Sequence, residues 1–77
     1  MTKKIFFKFE GRGHNLILDE GCEPFVDMGK AGGVGFSSLR PDSALRERVL
    51  EVLEVARIRG ELTPSEVQDL ELWTLVG

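Results

Sequence analysis

The chain has 77 residues, 42% of them hydrophobic and 30% charged, and a formal net charge of −3. That balance belongs to a folded globular domain; the length holds one small domain and is too short for a nucleotide-binding α/β fold, a barrel or a two-domain enzyme with a cleft. The single cysteine excludes an internal disulfide and a four-cysteine zinc site, and no apolar run approaches the roughly 20 residues a membrane-spanning helix needs.

The charge is unevenly distributed. Residues 1–18 carry Lys3, Lys4, Lys8 and Arg12 against Glu10 alone, whereas Asp19, Glu20, Glu23 and Asp27 follow with no base among them. A mildly acidic total argues against binding nucleic acid or anionic membrane over the whole surface, while leaving room for a local basic patch. Only Ile5, Phe6 and Phe7 separate Lys4 from Lys8, short of the apolar region of a secretory signal. With one cysteine, the expected compartment is the reducing cytoplasm.

Lys4 to Glu10 alternates as a strand does, with Ile5, Phe7 and Phe9 on one face and Lys4, Phe6 and Lys8 on the other. Gly11-Arg12-Gly13 then predicts a glycine-rich hairpin loop of three to five residues, and His14 to Asp19 a second strand with Leu16 and Leu18 on its apolar face. Phe25 to Met28, after Pro24, is a candidate short third strand. The glycine-rich run from Gly29 to Gly35 reads as a loop flanking a short strand over 34–37.

Pro41-Asp42-Ser43 announces a helix over about 43–59, capped by Asp42 or Ser43. Leu45, Val49, Val52, Leu53 and Ala56 form its apolar stripe; Ile58 falls on the wrong side. Glu54 and Arg57 are placed to pair at i,i+3, and Gly60 to end the helix in the left-handed region. Leu62-Thr63-Pro64-Ser65-Glu66-Val67 carries a full start signal: Thr63 as N-cap, Pro64 at the first helical position, Glu66 closing a capping box, and Leu62 with Val67 as a hydrophobic staple. A second helix over about 64–75 follows, with Val67, Leu70 and Trp73 or Thr74 as its core side. The whole chain, 1–77, is therefore one α+β domain: an antiparallel hairpin or three-stranded sheet over about 3–37, then two helices packed on one face.

No motif carries recognisable chemistry. The glycine run lacks the Gly-Lys-Ser/Thr ending of a phosphate-binding loop and does not run directly into a helix. Cys22 and His14 are single, with no orienting partner or ligand spacing, so no catalytic residue, cofactor or metal is expected. The second helix carries Glu66, Asp69 and Glu71 and no base, the wrong sign for reading duplex DNA.

Two functional expectations follow. The first is a non-catalytic interaction module that binds and modulates a larger protein or nucleoprotein complex through Glu66, Asp69, Glu71 and Trp73, or through Gly32 and Gly33 in the glycine-rich run. Its size and lack of a catalytic motif suggest an inhibitor of host machinery, such as a phage-encoded inhibitor of a CRISPR effector or RNA polymerase. The alternative is an RNA or single-stranded nucleic-acid binder using Lys4, Phe6, Lys8 and Arg12, with His14 extending the patch: aromatic faces stack bases and cations meet phosphates. Direct nucleic-acid binding ranks below protein binding, a homodimer through the helices is a third possibility, and no membrane association is expected.

Overall fold

The computed structural model describes residues 2–74. Strands β1 (Lys3–Phe9), β2 (Arg12–Leu18), β3 (Phe25–Asp27) and β4 (Gly33–Gly35) form an antiparallel meander in the order β1-β2-β3-β4, followed by helices α1 (Ala44–Ile58) and α2 (Pro64–Thr74). The α+β architecture expected from the sequence is therefore present, with a sheet of four strands instead of two or three. The fourth strand is the short one expected over 34–37, found instead at Gly33–Gly35 inside the glycine-rich run because Phe36–Ser38 forms a 3-10 turn. A single 3-10 turn over Gly29–Ala31 reverses the chain, and Gly33-Val34-Gly35 then pairs with Phe25, Val26 and Asp27.

The first hairpin is tighter than the glycines suggest. Its loop is Glu10-Gly11 alone, both at positive φ (52° and 77°), which makes it the two-residue type I′ turn that matches strand twist. Arg12 and Gly13 belong to β2. Gly13 is needed for space: a Cβ there would press on the ring of Phe6.

Register fixes the two faces. Ile5, Leu16, Val26 and Val34 form one rung across all four strands, and Phe7 faces His14 in the next. This inner face meets α1 through Val49, Val52, Leu53 and Ala56, all buried, while Leu45 packs at the periphery of the same core. Alternation in the strands and the 3.6-residue stripe of the helix thus converge on one apolar layer.

Helix α1 is capped by Ser43, whose hydroxyl accepts from the Arg46 amide at 3.4 Å. Gly60, at φ 73°, follows its end as the left-handed residue. The capping box of α2 forms as read: Glu66 N donates to Thr63 Oγ1 at 3.2 Å, and Thr63 N donates to Glu66 Oε1 at 2.8 Å. Helix α2 nonetheless buries none of its residues completely. Val67 and Leu70 pack at the margin of the core, Leu62 is buried just before the helix, and Trp73 and Leu72 are exposed. Leu75, the expected helix end, and Val76 lie outside the described residues.

Candidate interaction surface

The acidic residues expected on α2 do not act as one set. Glu66 is committed within the fold: besides its cap to Thr63, it pairs with Lys3 Nζ at 2.8 Å, and the same ammonium donates to the Glu61 carbonyl. The Lys3 ammonium, and after it the Thr63 amide, hold the Glu66 carboxyl below its ordinary value. Asp69 lines a hollow of about 350 Å³ between α2 and the end of the sheet, together with Lys3, Asp19, Glu20, Cys22 and Glu66. Glu71 lies on the other side of α2, in a cleft shared with Glu54 and Arg57 of α1. The expected Glu54–Arg57 pair is formed; the bond from Arg57 holds Glu54 below its usual value. Trp73 is 38% exposed and Leu72 69%.

Gly32 and Gly33 have local tasks. Gly32 stands at φ 89° and closes the turn, its amide donating to Gly29 O and its carbonyl accepting from Met28 N. Gly33 lies beneath the Phe25 ring, where any Cβ would collide with it.

The four residues of the basic alternative fall into two groups. Lys4, Phe6 and Lys8 share the outer face of β1, whereas Arg12 pairs with Phe9 and belongs to the inner face. His14 is also on the inner side, buried at 7% exposure between Phe7 and Phe9 with ring centroids 5.5 and 6.1 Å away. It does not extend an outer patch; its parity with Leu16 and Leu18 already carried that information. Its Nδ1 makes no hydrogen bond within the described residues. The outer face does gain Phe25, 40% exposed on β3, but it also carries Asp27.

A groove between β1 and α1 has no counterpart among the sequence-based expectations. It has a volume of about 350 Å³ and is lined by Lys4, Ile5, Phe6 and Phe7 on one wall and by Arg48, Val52, Val55, Ala56 and Arg59 on the other, with Glu61 at one end. Phe6 is 62% exposed and Val55 44%, and Ile58, one turn beyond Val55, is 70% exposed. Phe6 and Val55 thus line one groove open to solvent, bordered by Lys4, Arg48 and Arg59, while Ile58 lies outside its lining. The early signal of this surface was the placement of Lys4 and Phe6 on the outer side of the first strand. No protein-family model, curated protein or solved structure matches the chain.

Among the described residues, no group of three or more His, Cys, Asp or Glu side chains is arranged to hold a metal ion, and no helix is long and apolar enough to cross a membrane. Cys22 is a free, exposed thiol in the turn after β2.

Proposed function

We propose that the protein is a non-catalytic interaction module that binds a larger protein or nucleoprotein complex and modulates its activity. The observation that supports this reading is the open β1/α1 groove, where Phe6 and Val55 remain exposed beside Arg48 and Arg59. Apolar side chains rimmed by charge are the usual composition of a protein-binding surface. A cytoplasmic setting accords with the one exposed free thiol. Inhibition of a larger host machine is the finer form of the proposal and rests on size and composition alone.

The test is capture on the immobilised chain from bacterial lysate, with and without nuclease, followed by mass spectrometry and a binding titration of the purified partner. A stoichiometric protein complex that survives nuclease is the expected result. Recovery of nuclease-sensitive ribonucleoproteins only, with direct binding of a uridine homopolymer that is lost on Lys4→Glu and Lys8→Glu, would overturn it. That outcome would favour the second reading, single-stranded nucleic acid on the outer sheet face, for which the pairing of exposed Phe6 and Phe25 with Lys4 and Lys8 is the supporting observation.

A further inference from the structure

Strand β1 is the outer strand of the sheet, seven residues long and without proline. The two-residue turn makes Phe9 and Arg12 a hydrogen-bonded pair, so by antiparallel alternation Phe7, Ile5 and Lys3 also bond to β2. Lys4, Phe6 and Lys8 are then the residues whose N–H and C=O groups point away from the sheet. The structure bears this out at one of them: Lys8 O accepts a bond from Arg48 Nε at 3.0 Å across the edge. No other backbone partner outside β2 is found for β1 among the described residues. The Lys4 and Phe6 groups and the Lys8 amide therefore offer an unfilled half-ladder directly above the β1/α1 groove.

We infer that this edge accepts an extended acidic segment of a partner protein as a fifth strand, with acidic residues alternating with apolar ones. The inference rests on the interaction-module reading above and names its docking mode. Alternation fixes the chemistry of each side of the guest. Guest residues opposite Lys4, Phe6 and Lys8 lie on the outer face, beside two ammonium groups, and call for carboxylates. Their neighbours turn inward over Ile5 and Phe7 towards Val52 and Val55, and call for aliphatic side chains. The edge charges favour an anionic guest: Lys4, Lys8 and Arg59 border it against Glu61, while Arg48 and Glu51 pair with each other. The same charges disfavour a second copy of this chain. Antiparallel pairing of two β1 strands over their full length, centred on Phe6, sets Lys4 of one against Lys8 of the other, and like charges directly opposite repel. A nucleic acid would satisfy the lysines but has no strand backbone to complete the ladder.

The probe is a fluorescein-labelled heptapeptide of alternating glutamate and valine, titrated by anisotropy into the full chain. Controls are the same peptide N-methylated at alternate residues, a block-order peptide of the same composition, and a uridine homopolymer. Amide exchange on the complex is read by NMR. We expect the alternating peptide to bind, exchange of the Lys4, Phe6 and Lys8 amides to slow at least tenfold, and affinity to fall at least tenfold on N-methylation or on Lys4→Glu with Lys8→Glu. The N-methylated peptide leaves the protein unaltered, so its effect is independent of any folding defect in the variants. Absence of binding, equal affinity for the block-order peptide, protection confined to other amides, or tighter binding of the homopolymer would each overturn the proposal. So would slowed exchange of the same three amides in the free chain as its own concentration rises, which would make the occupant a second copy. If the edge fails while a nuclease-resistant partner protects another surface, the interaction-module reading stands and only this docking mode falls.

Discussion

Helix α2 is held by polar ties more than by burial, and this makes Glu66 the most informative residue to change. Its carboxylate closes the capping box with Thr63 and pairs with Lys3, whose side chain is 34% exposed against 26% for Glu66. Glu66→Ala keeps the Thr63 hydroxyl cap on the residue-66 amide and loses only the returning bond from the Thr63 amide, worth about 1 kcal/mol. An ion pair at this level of exposure adds about 0.5–1 kcal/mol, so Glu66→Ala should destabilise the fold by about 1.5–2 kcal/mol, a fall of roughly 10 °C in Tm for a domain of this size. Lys3→Met should remove only the ion-pair share, and the double variant should be little worse than Glu66→Ala, leaving a coupling of about 0.5–1 kcal/mol. Urea denaturation of the four proteins measures it, and amide exchange should show α2 opening ahead of the sheet. The pH dependence gives an independent check. The Glu66 carboxyl is held low by Lys3 and Thr63, so its contribution is complete above the ordinary glutamate value of about 4.3 and is lost as pH falls through the lowered folded value. Glu66→Gln should flatten that part of the acid limb. Additivity of the two single changes within about 0.3 kcal/mol, or an acid limb unaltered in Glu66→Gln, would refute the assignment.

Three further outcomes are expected. Gly33→Ala should cost about 1 kcal/mol, the low end of overpacking, because the Cβ displaces the half-exposed Phe25 ring and crowds the Val26 carbonyl, and less in a Phe25→Ala background; equal costs in the two backgrounds, measured by urea denaturation, would remove the ring as the cause. Glu10→Asn should stabilise the hairpin by about 0.5 kcal/mol, because Glu10 stands at φ 52° where asparagine is better accommodated; a lower Tm would contradict the turn assignment. Val49→Ala, at a fully buried position between helix and sheet, should cost about 2 kcal/mol and unfold α1 and the sheet together when followed by far-UV circular dichroism and by amide exchange in both elements.

The caps and apolar stripes were legible in the chain because each depends on residues a few positions apart. Ser43, Thr63, Glu66 and Gly60 act within one helical turn, and Val49, Val52, Leu53 and Ala56 share a face through helical geometry alone. The hairpin was legible as a hairpin, but its loop was read two residues too far along. Gly11 and Gly13 look equivalent in sequence; one supplies positive φ and the other makes room for Phe6, a distinction that depends on a ring on the neighbouring strand. Strand β4, expected over 34–37 and found at Gly33–Gly35, was displaced for a related reason. Gly33 and Gly35 have low strand preference, and only the pairing with β3 makes them a strand. The candidate site was the least legible. Lys4, Phe6 and Lys8 were singled out as a stacking surface, yet their place on the outer strand, with backbone groups directed outward, depends on strand order. Arg48 and Arg59, 40 to 55 residues downstream, join them only through the packing of α1.

The two ends of the sheet also differ in length. Strand β1 presents seven residues, whereas β4 presents three, two of them glycine, before the chain turns away at Phe36. Polymerisation through strand addition needs two competent edges, one to give and one to receive. A molecule with a single competent edge terminates whatever it joins, so its complexes should be finite, with one guest per copy, and should not propagate into fibres even at high concentration.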